Sequence, residues 1–243
     1  MNNKEIILKV ENLTKSFGEI VACDNISFEV EKKEIFGIAG PNGAGKTTLF
    51  NCISGLYRSA GKVIFENLDI SKFRADQICH AGLARTFQIP LLFNSMTVYQ
   101  NIKIGAYFGR QKSHYVEKEI EDVLDYFDIK GIKNNNVSNL KLLDKKLVML
   151  AAAMATKPKL LMLDEPMGGL SPSEIKFVTS LILDLNSSKS ISIIIIEHLM
   201  KILVDVAKRL MIIDNGKKIC IAPPANICKD KHIIKIYLGD SYA

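Results

Sequence analysis

A glycine-rich segment at residues 40–48 has the residue types and spacing of a phosphate-binding loop. It reads G-P-N-G-A-G-K-T-T and fits the pattern G-x-x-x-x-G-K-[ST]. Glycines leave backbone N–H groups open to phosphate oxygens, and the positive end of a following helix favours an anion. We expect Lys46 to bridge the β- and γ-phosphates and the Thr47 hydroxyl to bind Mg²⁺; the alternative is a glycine-rich turn without function. The residues expected to bind the nucleotide are Gly40, Pro41, Asn42, Gly43, Ala44, Gly45, Lys46, Thr47 and Thr48.

Two adjacent carboxylates follow an apolar run at residues 160–165, L-L-M-L-D-E. Asp164, at the end of the predicted strand, can reach Mg²⁺, and Glu165 can polarise an attacking water. Taken alone, D-E-P after a strand is more typical of a solvated turn. Because the chain also has a phosphate-binding loop and lacks the guanine-selecting N-K-x-D, the pair favours ATP hydrolysis.

Three further side chains stand where they could complete a nucleotide site. His198 follows an apolar strand in I-I-E-H-L-M, where its imidazole could hydrogen-bond a γ-phosphate. The Gln88 amide in R-T-F-Q-I-P could reach Mg²⁺ or water, and the Phe17 ring in K-S-F-G could stack on adenine. The structural alternatives are a strand-end histidine, a surface glutamine and a phenylalanine in a hairpin core.

The elements that must position these groups follow from hydrophobic periodicity. Residues 6–12 and 20–30 alternate apolar and polar types, which predicts an antiparallel pair of strands. The run I-F-G-I-A at 35–39 predicts a short strand directly before the glycine loop, and an amphipathic helix is predicted after it. The apolar face of that helix consists of Leu49, Phe50, Ile53 and Leu56.

The later part of the chain indicates a parallel sheet. Apolar runs at 160–163 and 191–196 each follow a helical segment, which is the arrangement of buried parallel strands in an α/β protein. Residues 209–221 surround an Asn-Gly pair, which predicts a hairpin. Residues 89–139 have a polar helical pattern, and we expect them to form a helical subdomain inserted in the sheet domain.

The composition narrows the class of protein. A length of 243 residues fits one large domain, or a domain with a subdomain. The 32 basic and 26 acidic residues give a net charge of +6, too small and too dispersed to predict a nucleic-acid partner. Five cysteines without a C-x-x-C pair favour a reducing cytosol over a zinc site or a disulfide framework. The start lacks a signal-peptide pattern and the run at 191–196 is too short to span a membrane, so we expect a cytoplasmic chain.

In their order and rough spacing, these motifs resemble those of an ATP-binding-cassette (ABC) ATPase. The chain closely resembles the nucleotide-binding subunits of branched-chain amino-acid or urea-type importers, over nearly its whole length. The segments that carry the resemblance are G-L-A-R-T-F-Q, L-F-N-S-M-T-V-Y-Q-N-I, A-T-K-P-K-L-L-M-L-D-E-P-M-G-G-L-S-P, I-I-E-H-L-M and the final I-Y-L-G at residues 236–239.

The fold implied by this resemblance is the α/β fold of a P-loop NTPase of the ABC ATPase type. It has a mostly parallel sheet, an N-terminal antiparallel β part and an inserted helical subdomain. The implied division is a single ABC ATPase domain over residues 1–243, with a RecA-like/β core in 1–88 and 146–243 and a helical subdomain in 89–145.

The resemblance also implies roles for the site residues, with ATP and Mg²⁺ as ligands. The implied roles are general base for Glu165, γ-phosphate sensor for His198, link between Mg²⁺ and the membrane partner for Gln88, phosphate contact for Lys46, Mg²⁺ ligand for Thr47 and Asp164, and adenine platform for Phe17. The apolar residues beside Gln88 would line a groove for a helix of the membrane subunit, or belong to the subdomain core; they are Ile89, Leu91, Leu92 and Phe93.

The partners implied are transmembrane permease subunits, a second ABC ATPase subunit and, indirectly, a solute-binding protein, with no nucleic acid. Two ATP molecules would lie in a head-to-tail dimer, each between the phosphate loop of one subunit and the signature helix of the other. We expect ATP hydrolysis coupled to uptake of a small solute, such as a branched-chain or hydrophobic amino acid, at the inner face of the cell membrane. The alternatives are the cassette of a lipid-type exporter and a weakly hydrolysing regulatory cassette.

The family's signature L-S-x-G-Q falls on L-K-L-L-D, residues 140–144. Two lost hydrogen bonds to a charged phosphate, at about 1.5–3 kcal/mol each, would weaken the ATP sandwich by roughly 3–6 kcal/mol, or about two to four decades. We therefore favour a heterodimer with a second cassette whose signature is intact, with a homodimer as the alternative. A simpler interpretation of Asp144 is a helix cap. Ser171 also stands where many cassettes have an aspartate.

Overall fold

The structure is a computed structural model that describes residues 5–109 and 116–230. The I-Y-L-G segment at 236–239 and residues 110–115 of the predicted helical subdomain lie outside the described residues. The strands are β1 (Ile6–Phe17), β2 (Ile20–Glu31), β3 (Ile35–Ala39), β4 (Ala60–Phe65), β5 (Leu68–Asp69), β6 (Leu83–Arg85), β7 (Leu160–Asp164), β8 (Ser192–Ile196), β9 (Arg209–Asp214) and β10 (Lys217–Ala222). The helices are α1 (Lys46–Ile53), α2 (Ala75–Ala81), α3 (Val98–Phe108), α4 (Val116–Tyr126), α5 (Leu142–Ala155), α6 (Pro172–Ser188), α7 (Met200–Val206) and α8 (Pro224–Ile227), with 3-10 turns at Lys130–Ile132 and Val137–Asn139.

Two compact units divide the chain, one within residues 1–75 and 181–243 and the other within residues 76–180. The second unit contains α3 and α4, the helices of the segment predicted as a helical subdomain. This unit is longer than the predicted helical subdomain, and the subdomain bounds of 89–145 remain a prediction. Within the described ranges, no helix is long and apolar enough to cross a lipid bilayer.

An antiparallel sheet in the first unit has the strand order β2-β1-β4-β5. The long β1 and β2 pair antiparallel from Ile6↔Glu31 to Phe17↔Ile20, which confirms the pair predicted from alternation. Leu8, Val10 and Leu13 of β1 are buried, so the apolar side of the strand faces the core. Strand β1 ends at Phe17, the predicted adenine platform, next to the turn of the hairpin.

The glycine loop follows β3, a strand of the parallel sheet in the first unit. β3 pairs in parallel with β8 and with β9, and every residue of β3 and β8 is buried, as expected for strands covered on both faces. The predicted hairpin at 209–221 is confirmed by the antiparallel β9 and β10. Asn215 (φ 44°) and Gly216 (φ 76°) form its turn, and both are left-handed, as a tight two-residue turn requires.

Helix α1 buries Leu49, Phe50 and Ile53, as predicted, but the inclusion of Leu56 was wrong. The helix ends at Ile53, and Gly55 adopts a left-handed φ of 75° that turns the chain away. Leu56 is therefore 48% exposed, and its N–H donates to the Asn51 carbonyl at 2.9 Å. The apolar spacing in the sequence continues to Leu56, but the helix itself ends before Gly55.

In the second unit, a short parallel pair and a group of helices support the carboxylates. β6 and β7 pair in parallel from Leu83↔Leu160 to Arg85↔Met162. Helix α3 begins with a reciprocal capping box between Thr97 and Gln100. It crosses α5 closely, because a β-carbon on Gly105 would lie only 2.1 Å from the Ala152 carbonyl oxygen.

Candidate nucleotide-binding site

The phosphate loop between β3 and α1 has a backbone that only glycine permits at two points. A β-carbon on Gly40 would lie 2.0 Å from the Ile213 carbonyl oxygen, and one on Gly45 would lie 2.1 Å from the Ala22 carbonyl oxygen. Gly45 also has a left-handed φ of 101°. The loop is thus held against β9 and β2, and the glycines of the motif have a steric reason in this chain.

Lys46 lies beneath the loop. It is only 5% exposed, and its Nζ donates hydrogen bonds to the carbonyl oxygens of Gly40 and Pro41, each at 2.8 Å. Helix α1 starts after Gly45 with no side-chain cap and no acidic residue in its first turn, so its positive end carries no competing carboxylate of its own. Thr47 is exposed in that turn, Thr48 is half-buried, and the arrangement fits a bound phosphate chain.

Strand β2 supports the loop from its other side through Cys23. The Cys23 thiol, completely buried, donates a weak hydrogen bond to the Gly45 carbonyl oxygen at 3.7 Å. Burial raises the pKa of this thiol to about 12. Cys23 is therefore a neutral packing residue under the loop, a role that its isolated position in the sequence did not indicate.

Phe17 ends β1 with its ring half exposed, so it does not fill a hairpin core. It contacts the Tyr57 ring edge-on, with 5.4 Å between centroids, and Lys15 Nζ lies 4.9 Å from the Phe17 centroid. Neither Tyr57 nor Lys15 was predicted as a site residue. A tyrosine shortly after the end of α1 gave no sequence signal of this contact.

His198 follows β8, at the strand end from which the sequence predicted a phosphate contact. The pairing of Ile38 with Ile196 places the residues after β8 beside the start of the phosphate loop. The backbone N–H of His198 donates to the Glu197 carboxylate at 3.2 Å, and Glu197 is buried. His198 itself is half-buried, so its side chain retains an exposed part.

The second unit brings Asp164 together with an arginine that the sequence did not indicate. Asp164 ends β7, and its Oδ2 lies 2.8 Å from Nη2 of Arg85 at the end of β6. Both side chains are almost completely buried, 2% and 5% exposed. The parallel pairing of β6 and β7 therefore supplies Asp164 with a charge partner in the same unit.

Gln88 and Glu165 also meet within this unit. The Gln88 amide Nε2 donates a hydrogen bond to Glu165 Oε2. Lys146, buried in α5, donates to the Glu165 carbonyl oxygen at 3.2 Å. Glu165 has a left-handed φ of 48°, an uncommon conformation for a non-glycine residue that re-aims the chain directly after β7. Gln88 is exposed, as the surface-glutamine alternative has it, and its amide also contacts the predicted base.

The altered signature segment forms the start of α5. Lys141 is the N-cap and makes no side-chain cap hydrogen bond, whereas Asp144 lies in the first turn. The interpretation of Asp144 as the N-cap was therefore wrong, although a carboxylate in the first turn is still favoured by the helix dipole. Leu142 is 40% exposed, so this helix start presents an apolar side chain at its surface.

Ser171, the residue that departs from the family's aspartate, directly precedes helix α6. Its N–H donates to the Glu174 carboxylate at 2.7 Å, and the Glu174 N–H approaches Ser171 Oγ at 3.5 Å. The hydrogen bonds from the Ser171 side chain and backbone lower the pKa of Glu174. The pair is a capping box, which gives Ser171 a structural role.

The apolar stretch after Gln88 lies at the surface. Ile89, Leu91 and Phe93 are all exposed, so the subdomain-core alternative does not describe them. An apolar groove of about 440 Å³ also lies along α3. Its lining residues are Met96, Gln100, Lys103, Ile104, Tyr107 and Phe108.

The constrained glycine loop, the buried lysine beneath it and the strand–loop–helix order define a P-loop nucleotide-binding protein of the α/β class. Residues 23–168 match the ABC transporter family. The chain belongs to the ABC transporter family, in agreement with the resemblance drawn from its motifs. The predicted cassette fold and ATPase class are confirmed with it.

The chain is similar to ATP-binding subunits of known transporters, and the similarity covers nearly the full length of each. It is 33% identical to the high-affinity branched-chain amino acid transport ATP-binding protein LivG of Salmonella typhimurium, over 97% of this chain and 98% of that protein. It is 30% identical to the lipopolysaccharide export system ATP-binding protein LptB of Haemophilus influenzae, again over 97% and 98%. The solved structure of an ABC transporter cassette in its ADP conformation shares 31% identity, with a TM-score of 0.88 and coverage of 97% of this chain and 99% of that chain.

Proposed function

We propose that this chain is the ATP-hydrolysing subunit of an ABC importer for branched-chain or similarly hydrophobic amino acids. The observation that carries the proposal is the phosphate loop, where Gly40 and Gly45 have no room for a side chain and Lys46 is buried beneath them. The end-to-end similarity to branched-chain amino acid transport subunits supports the choice of solute.

In this proposal the phosphates of ATP lie along residues 40–45 and the first turn of α1. Lys46 Nζ exchanges its two carbonyl partners for β- and γ-phosphate oxygens, because charge-assisted hydrogen bonds are stronger than those to a neutral carbonyl. The exposed Thr47 hydroxyl, Asp164 and Gln88 would hold Mg²⁺, which in such sites takes a few protein oxygens together with phosphates and waters. Bound Mg²⁺ neutralises charge that develops on the phosphates.

Glu165 acts as the general base on the attacking water, and Gln88 orients its carboxylate. The hydrogen bond from Gln88 Nε2 to Glu165 Oε2 supports this pairing, because it orients the carboxylate. Lys146 fixes the Glu165 backbone through its carbonyl oxygen. His198 completes the set as the γ-phosphate contact at the end of β8.

Coupling to transport takes place through transmembrane permease subunits, with the chain on the inner face of the membrane. The exposed apolar residues Ile89, Leu91 and Phe93 support this docking, because they directly follow Gln88, which contacts the proposed base. A movement of the docked permease helix would thus be transmitted to Glu165 through Gln88. The solute-binding protein acts on the permease and has no direct contact with this chain.

A heterodimer with a second cassette fits the start of α5 better than a homodimer. Lys141 occupies the position where the family has a serine hydroxyl beside the partner's ATP, and Leu143 replaces the glycine. Leu142, at the variable position between them, is exposed. The phosphate loop of this chain would then meet the partner's intact signature and form the hydrolytic site. The second composite site, built on residues 140–144, would bind ATP weakly.

An exporter of lipid-linked material is the second candidate, favoured by the full-length similarity to the lipopolysaccharide export ATP-binding protein LptB. The two candidates differ in the solute moved and share the cassette chemistry. They are separated by transport assays on the assembled complex.

The test uses the chain co-purified with its permease subunits and second cassette in proteoliposomes. We expect Mg²⁺-dependent ATP hydrolysis that leucine and its binding protein stimulate, with leucine accumulating inside. Glu165→Gln should lower turnover by at least about a hundredfold while ATP binding persists. As a matched control, Glu174→Gln removes a carboxylate that only caps α6, and turnover should stay near wild type. Turnover that survives Glu165→Gln but is lost with the partner's corresponding change would refute the assignment of the hydrolytic site.

A further inference from the structure

Lys15, Phe17 and Tyr57 form a cluster at the end of the first hairpin. The Phe17 and Tyr57 rings meet edge-on, with 5.4 Å between centroids and 79° between planes. Lys15 Nζ lies 4.9 Å from the Phe17 centroid and 5.7 Å from the Tyr57 centroid, so one ammonium contacts both rings. Phe17 and Tyr57 are 45% and 39% exposed as residues, so both lie at a surface that a ligand can reach.

Strand register places this cluster near the phosphate loop. Lys15 pairs with Cys23, whose thiol contacts the Gly45 carbonyl oxygen, and Phe17 pairs with Ile20. Cys23 is three positions after Ile20, which is about 10 Å of strand. The rings therefore lie within the reach of a ribose and an α-phosphate from the loop that binds the outer phosphates.

The two neighbours of Phe17 are held by β1 and by the C-terminal end of α1. Lys15 is two residues before Phe17 on β1, so both side chains project from the same face of the strand. The Tyr57 N–H donates to the Asn51 carbonyl oxygen at 3.0 Å, in the last turn of α1, the helix that begins with Lys46. The Phe17 ring is thus fixed between the hairpin and the far end of the phosphate-binding helix.

We propose that Tyr57 and Lys15 are positioning residues for the nucleobase, which hold the Phe17 ring so that its open surface stacks on a purine. The inference rests on the proposed function, since it takes Phe17 as the base platform. Edge-to-face pairing and a cation near the rings stabilise one ring orientation before the nucleotide arrives. Loss of either contact lowers affinity for a ligand with a base and leaves a ligand without one unaffected.

The experiment compares Mg-ATP with Mg-tripolyphosphate, which has the phosphates and no base, by calorimetric titration of the full chain. Tyr57→Leu and Lys15→Met should each weaken Mg-ATP binding by about two- to tenfold, the range expected from such ring contacts. Tripolyphosphate binding should not change. Tyr57→Phe should bind Mg-ATP like the wild type, because the ring contact needs no hydroxyl. Tyr107→Leu is the matched control, an exposed tyrosine beside Lys103 on α3.

Equal weakening of both ligands by Tyr57→Leu and by Lys15→Met would overturn the inference, because it would indicate a structural role. Unchanged Mg-ATP affinity in both variants, with affinity lost in Phe17→Leu, would also overturn it and leave the proposed function intact. No Mg-ATP binding by the wild type in its assembled complex would refute the proposed function itself. Thermal unfolding of each variant identifies any that fails to fold, and Lys15→Met, a change at a strand surface, then provides the decisive comparison.

Discussion

Arg85 and Asp164 form a buried ion pair between the ends of two adjacent parallel strands, with 2.8 Å between Nη2 and Oδ2. The proposed Mg²⁺ ligand is therefore held by a fixed positive charge from its own unit. A buried pair contributes little net stability compared with apolar residues, but removal of one partner leaves an uncompensated charge. Arg85 thus holds the carboxylate of Asp164, the proposed Mg²⁺ ligand, in one orientation.

We expect Arg85→Met to lower the free energy of unfolding by about 3–5 kcal/mol, because the Asp164 carboxylate loses the guanidinium in a buried setting. Urea unfolding monitored by circular dichroism measures the change. Lys130→Met is the matched control, since Lys130 and Asp125 form an exposed pair at the same 2.8 Å, and solvent screening should leave stability nearly unchanged. If both variants lost the same free energy of unfolding, burial of the Arg85–Asp164 pair would not determine its effect on stability.

Gly45→Ala should destabilise the protein and abolish tight nucleotide binding. The new β-carbon would meet the Ala22 carbonyl oxygen at 2.1 Å and the residue would keep a left-handed φ, so the expected cost is roughly 2–5 kcal/mol. Unfolding and Mg-ATP titration measure the two effects. In Gly131→Ala the added carbon has open space, and stability should stay within about 0.5 kcal/mol of wild type. A Gly45→Ala protein as stable as Gly131→Ala would contradict the steric argument.

The sequence predicted best those features that depend on short-range constraints. The phosphate loop was predictable because Gly40, Gly45 and Lys46 stand at fixed offsets between a strand and a helix. The hairpin at Asn215-Gly216 was predictable because a two-residue turn needs left-handed residues. Leu56 was misplaced because periodicity alone does not register that Gly55 ends the turn of α1.

Contacts between distant segments were beyond the sequence pattern. Arg85 meets Asp164 across 79 positions through the register of β6 and β7, and Lys146 reaches the Glu165 carbonyl from α5. No local spacing encodes either contact. The N-cap of α5 was missed for a different reason, because Lys141 occupies it without a side-chain hydrogen bond, and Asp144 is the residue type that capping preferences favour.

Cys23 should make stability depend on pH above neutrality. Its pKa is about 12 in the folded protein against an ordinary 9.0, so the thiol stays neutral while the unfolded chain ionises. Stability from this residue is therefore complete below about pH 9 and is lost as pH rises toward 12, by about 1.4 kcal/mol between pH 8 and 10. Unfolding of the wild type and of Cys23→Ala at both pH values should show a steeper loss in the wild type. Parallel curves would contradict the burial of an un-ionised thiol under the phosphate loop.

Restoring the signature residues should strengthen self-association of this chain. In a Glu165→Gln background, which retains ATP, the substitutions Lys141→Ser, Leu143→Gly and Asp144→Gln replace side chains at the start of α5 with groups that can approach a phosphate. The Mg-ATP-dependent dimer should then tighten by about two to four decades, as estimated for two recovered hydrogen bonds to a charged phosphate. Sedimentation velocity measures the dimer. Adding Lys46→Ala to the restored chain should remove the dimer if the association depends on the phosphate loop. Tight Mg-ATP-dependent dimers formed by Glu165→Gln alone would show that residues 140–144 already serve as a working signature, and the heterodimer proposal would then be wrong.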